Sequence, residues 1–428
     1  MTTNNDAVDD SDNLTSLREA IDYSISLDDP DAVVTFDIKE PTVFLSSALE
    51  LEGDVSIDGT LPDGGCVAIS GQGAADAGLV TVYYGTVRFD HLVFENGSAT
   101  DGVLWLRGDA DVTFTDCIFR NNRASMKGVV NTSEGCKAFF NRCFATGNYA
   151  STCSFLYAED GSHAELLNCT LDNNRSKNGL IYNYDATVNM VNCTAFGNGE
   201  SAAGEAAIIS EGETNLLNCI VVGNGLRNRI TRIVESVKDV DDMMKICGSV
   251  IGSTDTLPDE FIDSVADVTI GDIFALESTP VVKKTAVGKR EIPVLLSSAA
   301  DGCRVTVVDG MLAYEKGGAQ PVVTDIPAAF DAADYTVDAL GLLRDHAYGS
   351  LEPYDLRIYG DVDGNAEVEV TDATLIQRHE SRMTKLGSAA QMLADVDDDG
   401  EATILDATWI QRYESFMNCP EKIGKTIG

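Results

Sequence analysis

A mainly β chain, built as a solenoid of stacked parallel strands and followed by a small all-α module, is predicted by three observations. Between residues 79 and 225 a cysteine and an asparagine recur at near-constant spacing. The segments between them are short, β-branched or aromatic, and separated by Gly, Asn and Asp, with no helical periodicity. Near the C-terminus, by contrast, two twelve-residue acidic loops each lead into an apolar-periodic helix.

The repeat comes first. Cys117, Cys143, Cys169, Cys193 and Cys219 lie 26, 26, 24 and 26 residues apart, and five residues after each comes Asn122, Asn148, Asn174, Asn198 or Asn224. One period upstream stand His91 and Asn96, which extends the register to six coils. A period in the range of about 20–50 residues marks a solenoid or an array. Segments such as Gly102–Leu106, Asp111–Thr115 and Cys117–Phe119 give roughly three short strands per coil. A parallel β-helix satisfies that pattern, with equivalent residues stacked in columns about 4.8 Å apart. Two columns are expected inside: Phe114, Phe140, Leu166, Met190 and Leu216, and Val93, Phe119, Ala145, Leu171, Ala195 and Val221. The cysteines pack as small hydrophobes in a third, where His91 is expected as a core histidine. The asparagines sit at a turn, where amides can bond along the stack.

The flanks agree with this arrangement. Leu14–Ile21 reads as a short amphipathic helix with a Ser16/Glu19 capping box, placed to cover the open first coil. After Asn224 the register blurs. Ile246–Ile251 is expected to start another coil, and 225–350 to form either an irregular end of the solenoid or a small β-rich domain. The repeat resembles the right-handed parallel β-helix of extracellular bacterial proteins and of the pectate-lyase-like superfamily, over roughly residues 79–225. The segments Asp338–Arg344 and Tyr348–Pro353 resemble the closing segment of bacterial β-helix proteins. The expected domain boundaries are 1–355 and 356–428.

The two acidic loops start at Asp361 and Asp395, 34 residues apart. A calcium ion takes six to eight oxygens, and an EF-hand loop supplies them from positions 1, 3, 5, 7, 9 and 12. In the first loop these are Asp361, Asp363, Asn365, Glu367 through its backbone carbonyl, Glu369 and Asp372; in the second they are Asp395, Asp397, Asp399, Glu401 through its backbone, Thr403 and Asp406. Position 6 needs Gly for a sharp turn. Gly400 supplies it in the second loop, and Ala366 replaces it in the first. Position 12 is Asp in both, and no helix precedes the first loop. Loop, helix, spacer and the same again resemble the type I dockerin of cellulosomal proteins over about residues 358–418. That resemblance implies two Ca²⁺ sites and a partner, the cohesin module of a scaffoldin. It also implies a recognition surface at loop positions 10 and 11 and on the following helix: Val370, Thr371, Gln377 and Arg378, and Ile404, Leu405, Gln411 and Arg412. The unequal residues at positions 10 and 11 favour one orientation of docking.

Composition bounds the partners. The chain has 69 Asp+Glu against 30 Lys+Arg, a formal net charge of −39. Such a chain repels nucleic acid and anionic membranes, and uronic-acid polymers unless Ca²⁺ bridges them. No apolar run reaches transmembrane length. The first ten residues lack the basic and apolar regions of a signal peptide. Export is expected from the resemblance, with the signal trimmed and Met1 added. The eleven cysteines are odd in number and contain no Cys-x-x-Cys, so neither a disulfide framework nor zinc is expected.

Chemistry on the solenoid is expected on its outward columns. Alternating with an inward column of Leu104, Val130, Leu156, Ile181 and Ile208 are Trp105, Asn131, Tyr157, Tyr182 and Ile209; one step on are Tyr83, Arg107, Ser133, Glu159, Tyr184 and Glu211. Rings beside carboxylates suit a sugar-stacking groove, with Trp105, Tyr157, Tyr182 and Tyr184 as its candidates. A second cluster, Asp90, Asp116 and Arg142, is the candidate for catalysis, as base and cation site. The strings Asn-Thr-Asp and Gly-His-Gly of polygalacturonases are absent, as are Gly-x-Ser-x-Gly, His-Glu-x-x-His and a P-loop. The expected function is an extracellular, cell-surface cellulosome-type component of a bacterium. Its β-helix either binds or degrades polysaccharide, as a lyase or glycoside hydrolase, or serves as a non-catalytic adhesin or structural module.

Overall fold

The computed structural model describes residues 1–199 except 10, 28, 62–64 and 73–77; 207–222 and 224; short segments between 244 and 350; and 358–425 except 363–367, 384–385, 387–390 and 392. Three long sheets form the solenoid. A ten-stranded sheet runs from Val33–Val34 to Ile262–Asp263, a nine-stranded one from Thr42–Phe44 to Val250–Ile251, and a seven-stranded one from Leu49–Glu52 to Ile208–Ser210. Every pairing within them is parallel, each strand lying between its equivalents in the coils before and after. The inward residues are aliphatic or aromatic because both ends of each inner side chain meet other coils and never water.

The predicted inner columns are present. Phe114, Phe140, Leu166, Met190 and Leu216 are in register and buried. Rings continue upward from them: Phe89, Phe114 and Phe140 stack at 5.3 and 5.0 Å. Offset stacking at such distances adds about 0.5–1.5 kcal/mol per pair beyond burial. The cysteines occupy the interior, with Cys143 Sγ donating to the Phe114 carbonyl at 3.3 Å. Cys117, Cys143, Cys153, Cys169, Cys193 and Cys219 form no disulfide. Burial pushes the Cys153 thiol well up, as it must for a thiolate without solvent.

One register differs from the constant period. Asp90 aligns with Thr115 and Val93 with Ile118, so Leu92, not His91, stands where Cys117 stands one coil on. Phe94, not Val93, shares the Phe119 column, and the two rings stack at 5.4 Å. Asn96 is likewise displaced from the asparagine ladder, which begins at Gly97. The cause is a turn. Ala99 aligns with Ala124 and Leu104 with Val130, so the connection after Ala99 is one residue shorter. His91 therefore sits at a left-handed turn position (φ 52°) shared with Asp116, Arg142, Asn168, Asn192 and Asn218. Its side chain is 42% exposed, which corrects the expectation of a core histidine.

The asparagine ladder satisfies the turn. Asn148 Oδ1 accepts both the backbone N–H and the side-chain N–H of Asn122, at 3.1 and 3.2 Å. Asn174, Asn198 and Asn224 repeat the pattern. Each Nδ2 also donates to a carbonyl of the preceding coil, as Asn148 does to Phe119 at 2.9 Å. The amides of the ladder asparagines thereby find partners on both neighbouring coils.

The N-terminal helix α1 (Leu17–Leu27) extends further than predicted and buries Leu17, Ala20, Ile21 and Ser24 against the first coil. Its capping box is formed: Ser16 N donates to Glu19 Oε2 at 2.7 Å, and Glu19 N to Ser16 Oγ at 3.3 Å. At the other end Met244–Cys247 and Val250–Ile251 add the predicted further coil, with Ser249 in the cysteine's place, its Oγ accepting from Cys219 N at 2.9 Å. Arg304–Val308, Met311–Glu315 and Val322–Asp325 then form a three-stranded antiparallel sheet. Leu312, Phe330 and Tyr335 pack on Phe139, Leu167, Val191 and Leu217, the outward side of the ten-stranded sheet. The region after 225 thus both continues the solenoid and adds a small β unit folded back on its flank. Of the closing segments, Gly349 N donates to Asn218 O and Ser350 N to Thr194 Oγ1, both at 2.8 Å. Most of 338–353 lies outside the described residues.

Helices α2 (Val370–Glu380) and α3 (Ile404–Glu414) pack together over Val362, Ala373, Ile376, Leu386, Ala394, Val396, Ala407, Ile410 and Ile423. The residues of the two copies pair up in this core: Val362 with Val396, Ala373 with Ala407, Ile376 with Ile410.

Candidate functional site

The second acidic loop is a carboxylate cradle. Oxygens of Asp395, Asp397 and Asp399 all lie within 4.8 Å of one another, and no other such group of ligand-type side chains occurs among the described residues. Backbone N–H groups shape it: Asp399 N and Gly400 N donate to the two oxygens of Asp395 at 3.2 and 3.0 Å, and Glu401 N donates to Asp399 Oδ1 at 3.0 Å. Gly400 takes φ 91°, with nothing near a Cβ position. A left-handed turn, not crowding, is what requires glycine here. Asp397 Oδ2 accepts from Trp409 Nε1 at 3.2 Å, while its Oδ1 is buried without a hydrogen-bond partner. Three carboxylates in mutual contact repel one another, and a buried unpartnered oxygen costs about 1–3 kcal/mol. A hard divalent cation relieves both, so Asp395, Asp397 and Asp399 fit calcium.

Asp406, at position 12, is wholly buried, and its oxygens accept Val396 N at 2.9 Å and Thr403 N at 2.8 Å. Thr403 serves as N-cap of α3, its Oγ1 accepting from Leu405 N at 3.2 Å. The first loop repeats the frame. Asp372 accepts from Val362 N and Glu369 N at 2.6 and 2.8 Å, Glu369 is the N-cap of α2, and Asp361 is buried. Asp363, Asn365, Ala366 and Glu367 lie outside the described residues.

Above the loops, Val370, Ile404 and Leu405 are 46%, 55% and 46% exposed in the first turns of their helices, beside exposed Thr371. Aliphatic side chains held in water on a rigid frame are what a partner surface would cover. Arg378 is exposed and Gln377 half-buried, whereas Gln411 and Arg412 are both half-buried. The asymmetry follows from Trp409, over which the Arg412 guanidinium lies at 4.9 Å; the first copy has Leu375 there.

On the seven-stranded sheet, Trp105, Asn131, Tyr157, Tyr182 and Ile209 stand in one register column. Tyr157 and Tyr182 stack at 5.2 Å. Trp105 Nε1 donates to Ser133 Oγ at 3.0 Å, and Arg107 lies over its ring at 4.3 Å. The Tyr182 hydroxyl bonds Glu211, and Lys127 pairs with Glu159 beside Tyr157. Burial pushes the Tyr157 hydroxyl up to about 12, so it stays a donor at any physiological pH. Trp105, Tyr157 and Tyr182 are half-buried and Tyr184 is exposed. Asn131 is fully buried between them, its amide without a partner.

The candidate catalytic trio is only partly brought together. Arg142 holds Asp116 in a two-pronged ion pair (Nη2–Oδ2 2.8 Å), and its Nη1 lies 3.5 Å from Asp334. His91, not Asp90, is the column neighbour of Asp116, with Nε2 3.7 Å from its Oδ2 and Nδ1 3.5 Å from Asp58. Asp90 aligns instead with Thr115, and burial raises its carboxyl above the usual range. A carboxylate locked to a guanidinium is an anchor more than a base.

One column escaped sequence reasoning. Directly after the ladder asparagines come Arg123, Tyr149 and Arg175, in register with Ser98. Reading the residue that follows each ladder Asn would have found it.

Comparison with known families agrees with this architecture. Residues 359–413 match the model of the dockerin type I domain, and residues 66–226 that of the right handed beta helix region. Neither the curated proteins nor the solved structures gave a match to the chain. No helix among the described residues is long and apolar enough to cross a membrane.

Proposed function

We propose that this chain, which joins a right-handed β-helix to a type I dockerin domain, is a secreted component of a cellulosome-type assembly. A dockerin domain implies a cohesin partner. Calcium held by the acidic loops orders the two helices, and Val370, Thr371, Ile404 and Leu405 then seat on that partner. The observation that carries the reading is the paired frame of Asp372 and Asp406, each closing an acidic loop onto the helix it starts. The full chain should be retained on immobilised cohesin in calcium and released by a chelator. Passage through a panel of cohesin columns without delay would sink the docking reading.

The β-helix is the cargo, and we read it as a polysaccharide binder. Stacked Tyr157 and Tyr182, with Trp105 in the same outward column, supply flat apolar area for sugar faces. Binding is favoured over cleavage because the carboxylate of Asp116 is tied to Arg142. Reducing-end and unsaturated-product assays of the full chain on a polysaccharide panel decide the point. Turnover of any polymer would replace the binding reading with a catalytic one.

A further inference from the structure

We propose that Trp409 is a positioning residue of the second calcium site: its indole N–H holds Asp397 in place for the ion, a restraint that the residue matching it after the first loop cannot supply. The proposal rests on the reading of the acidic loops as calcium sites, and it tells the two loops apart by a residue outside both.

The three carboxylates of the cradle are held in different ways. Both oxygens of Asp395 accept backbone N–H groups of the loop itself, from Asp399 and Gly400 at 3.2 and 3.0 Å. Asp399 Oδ1 accepts from Glu401 N at 3.0 Å. Asp397 is held from outside the loop. Its Oδ2 accepts from Trp409 Nε1 at 3.2 Å, and its Oδ1 is buried without a hydrogen-bond partner. One oxygen is thus fixed by the helix and the other is left for the cation, a division that suits a carboxylate binding calcium through a single oxygen.

The donor is itself fixed. Trp409 belongs to α3, one turn after Asp406, whose carboxylate closes the same loop. The ring is half-buried, and the Arg412 guanidinium lies over it at 4.9 Å. An indole N–H can only donate, and its bond to an ionised carboxylate is charge-assisted. In a cluster of three carboxylates it offsets part of the mutual repulsion before any ion arrives. It also removes rotations of Asp397 that binding would otherwise have to freeze. Removing a group that hydrogen-bonds a metal's ligand typically costs about 10–100-fold in affinity.

The first copy is built otherwise. Leu375 stands 34 residues before Trp409, at the same place in the repeat, and its side chain has no N–H to donate. The second site should therefore bind more tightly than the first. The change from Gly400 to Ala366 at position 6 acts in the same sense. Trp409→Phe separates the two causes, since it leaves both turns unchanged.

The test is calcium titration of the full chain, freed of bound ions by a chelator, with calorimetry and NMR of the indole N–H groups as readouts. The chain has two tryptophans, so Trp409→Phe assigns their signals. That variant should weaken the tighter calcium site about tenfold. Trp409→Leu, which installs the first copy's residue, should do the same. In the wild-type chain the Trp409 indole signal should shift with the midpoint of the tighter site. Asp397→Asn should also weaken that site, and adding Trp409→Phe to it should cost little more, because the indole acts through Asp397. Calcium binding by both Trp409 variants as tight as by wild type overturns the positioning role and leaves the calcium reading standing. Losses that add in full in the double variant, or an indole signal indifferent to calcium, also overturn it and assign Trp409 to the packing of the helix. Failure of the wild-type chain to bind calcium removes both readings.

Discussion

Asp406 Oδ1 accepts the backbone N–H of Val396 at 2.9 Å, across a loop whose other end it caps. Asp372 does the same to Val362 at 2.6 Å in the first copy. One carboxylate thus ties the start of each loop to the helix that leaves it, and its companion oxygen closes the capping box with Thr403 or Glu369. This separates two roles. Asp406 is a frame residue besides its proposed place among the calcium ligands, whereas Asp397 keeps one buried oxygen unpartnered.

Asp406→Ala should therefore destabilise the helical module even in chelator, by several kcal/mol, since hydrogen bonds to a charged group contribute about 1.5–3 kcal/mol each. Asp397→Ala should abolish the calcium-induced rise in melting temperature and cost the chelated module only its bond to Trp409 Nε1, about 1 kcal/mol. Scanning calorimetry of the full chain with and without calcium reads both. Equal behaviour of the two variants would remove the distinction.

In the solenoid, Asn148→Ala strands the backbone N–H of Asn122, one of its two side-chain N–H bonds and the bond to the carbonyl of Phe119. Each buried polar group so orphaned costs about 1–3 kcal/mol, so the melting temperature should drop by several degrees or more. Phe119→Ala, inside the ring stack, should cost about 3–5 kcal/mol. A ladder variant as stable as wild type would show that the turn does not depend on its amides.

These columns were largely legible in the sequence because a solenoid writes each interior position several times. Cys117, Cys143 and their successors fix the register locally, and the outward Trp105 and Tyr182 follow by alternation. Extrapolation failed at His91 and Asn96, where a turn shortened by one residue shifts every column. A period carries no information about a single turn's length. The flank formed by Phe330 and Tyr335 was also hidden, because Tyr335 donates to Glu165 at 3.0 Å, a partner 170 residues away that no local pattern announces. In the helical module the carboxylate cluster of Asp395, Asp397 and Asp399 was readable from spacing. The hydrogen bonds by which Asp406 and Thr403 frame the loop were not, since they depend on how the loop closes.

Removing the aromatic column should remove retention on polysaccharide. Trp105→Ala with Tyr182→Ala should lower affinity for a neutral glucan about tenfold or more, given about 0.5–1.5 kcal/mol for each stacked ring. Full retention by the double variant in affinity electrophoresis would exclude the column as the binding face.

Asp90 gives a pH signature. Burial raises its carboxyl above the usual value, so the contribution of protonated Asp90 is present below the unfolded pKa and is lost as pH rises through the folded one. Asp90→Asn should therefore stabilise the β-helix at pH 7 and lose that advantage in acid. A melting-temperature difference that does not change between pH 3 and pH 7 would contradict the assignment.

On the proposed function, calcium in the acidic loops switches on docking to a cohesin. Isothermal titration calorimetry of the full chain into a cohesin, in calcium and then in excess chelator, tests it most directly. Tight one-to-one binding that disappears on chelation and in Asp397→Ala is the predicted result. Binding of equal strength in chelator, or none to any cohesin with calcium present, would contradict it.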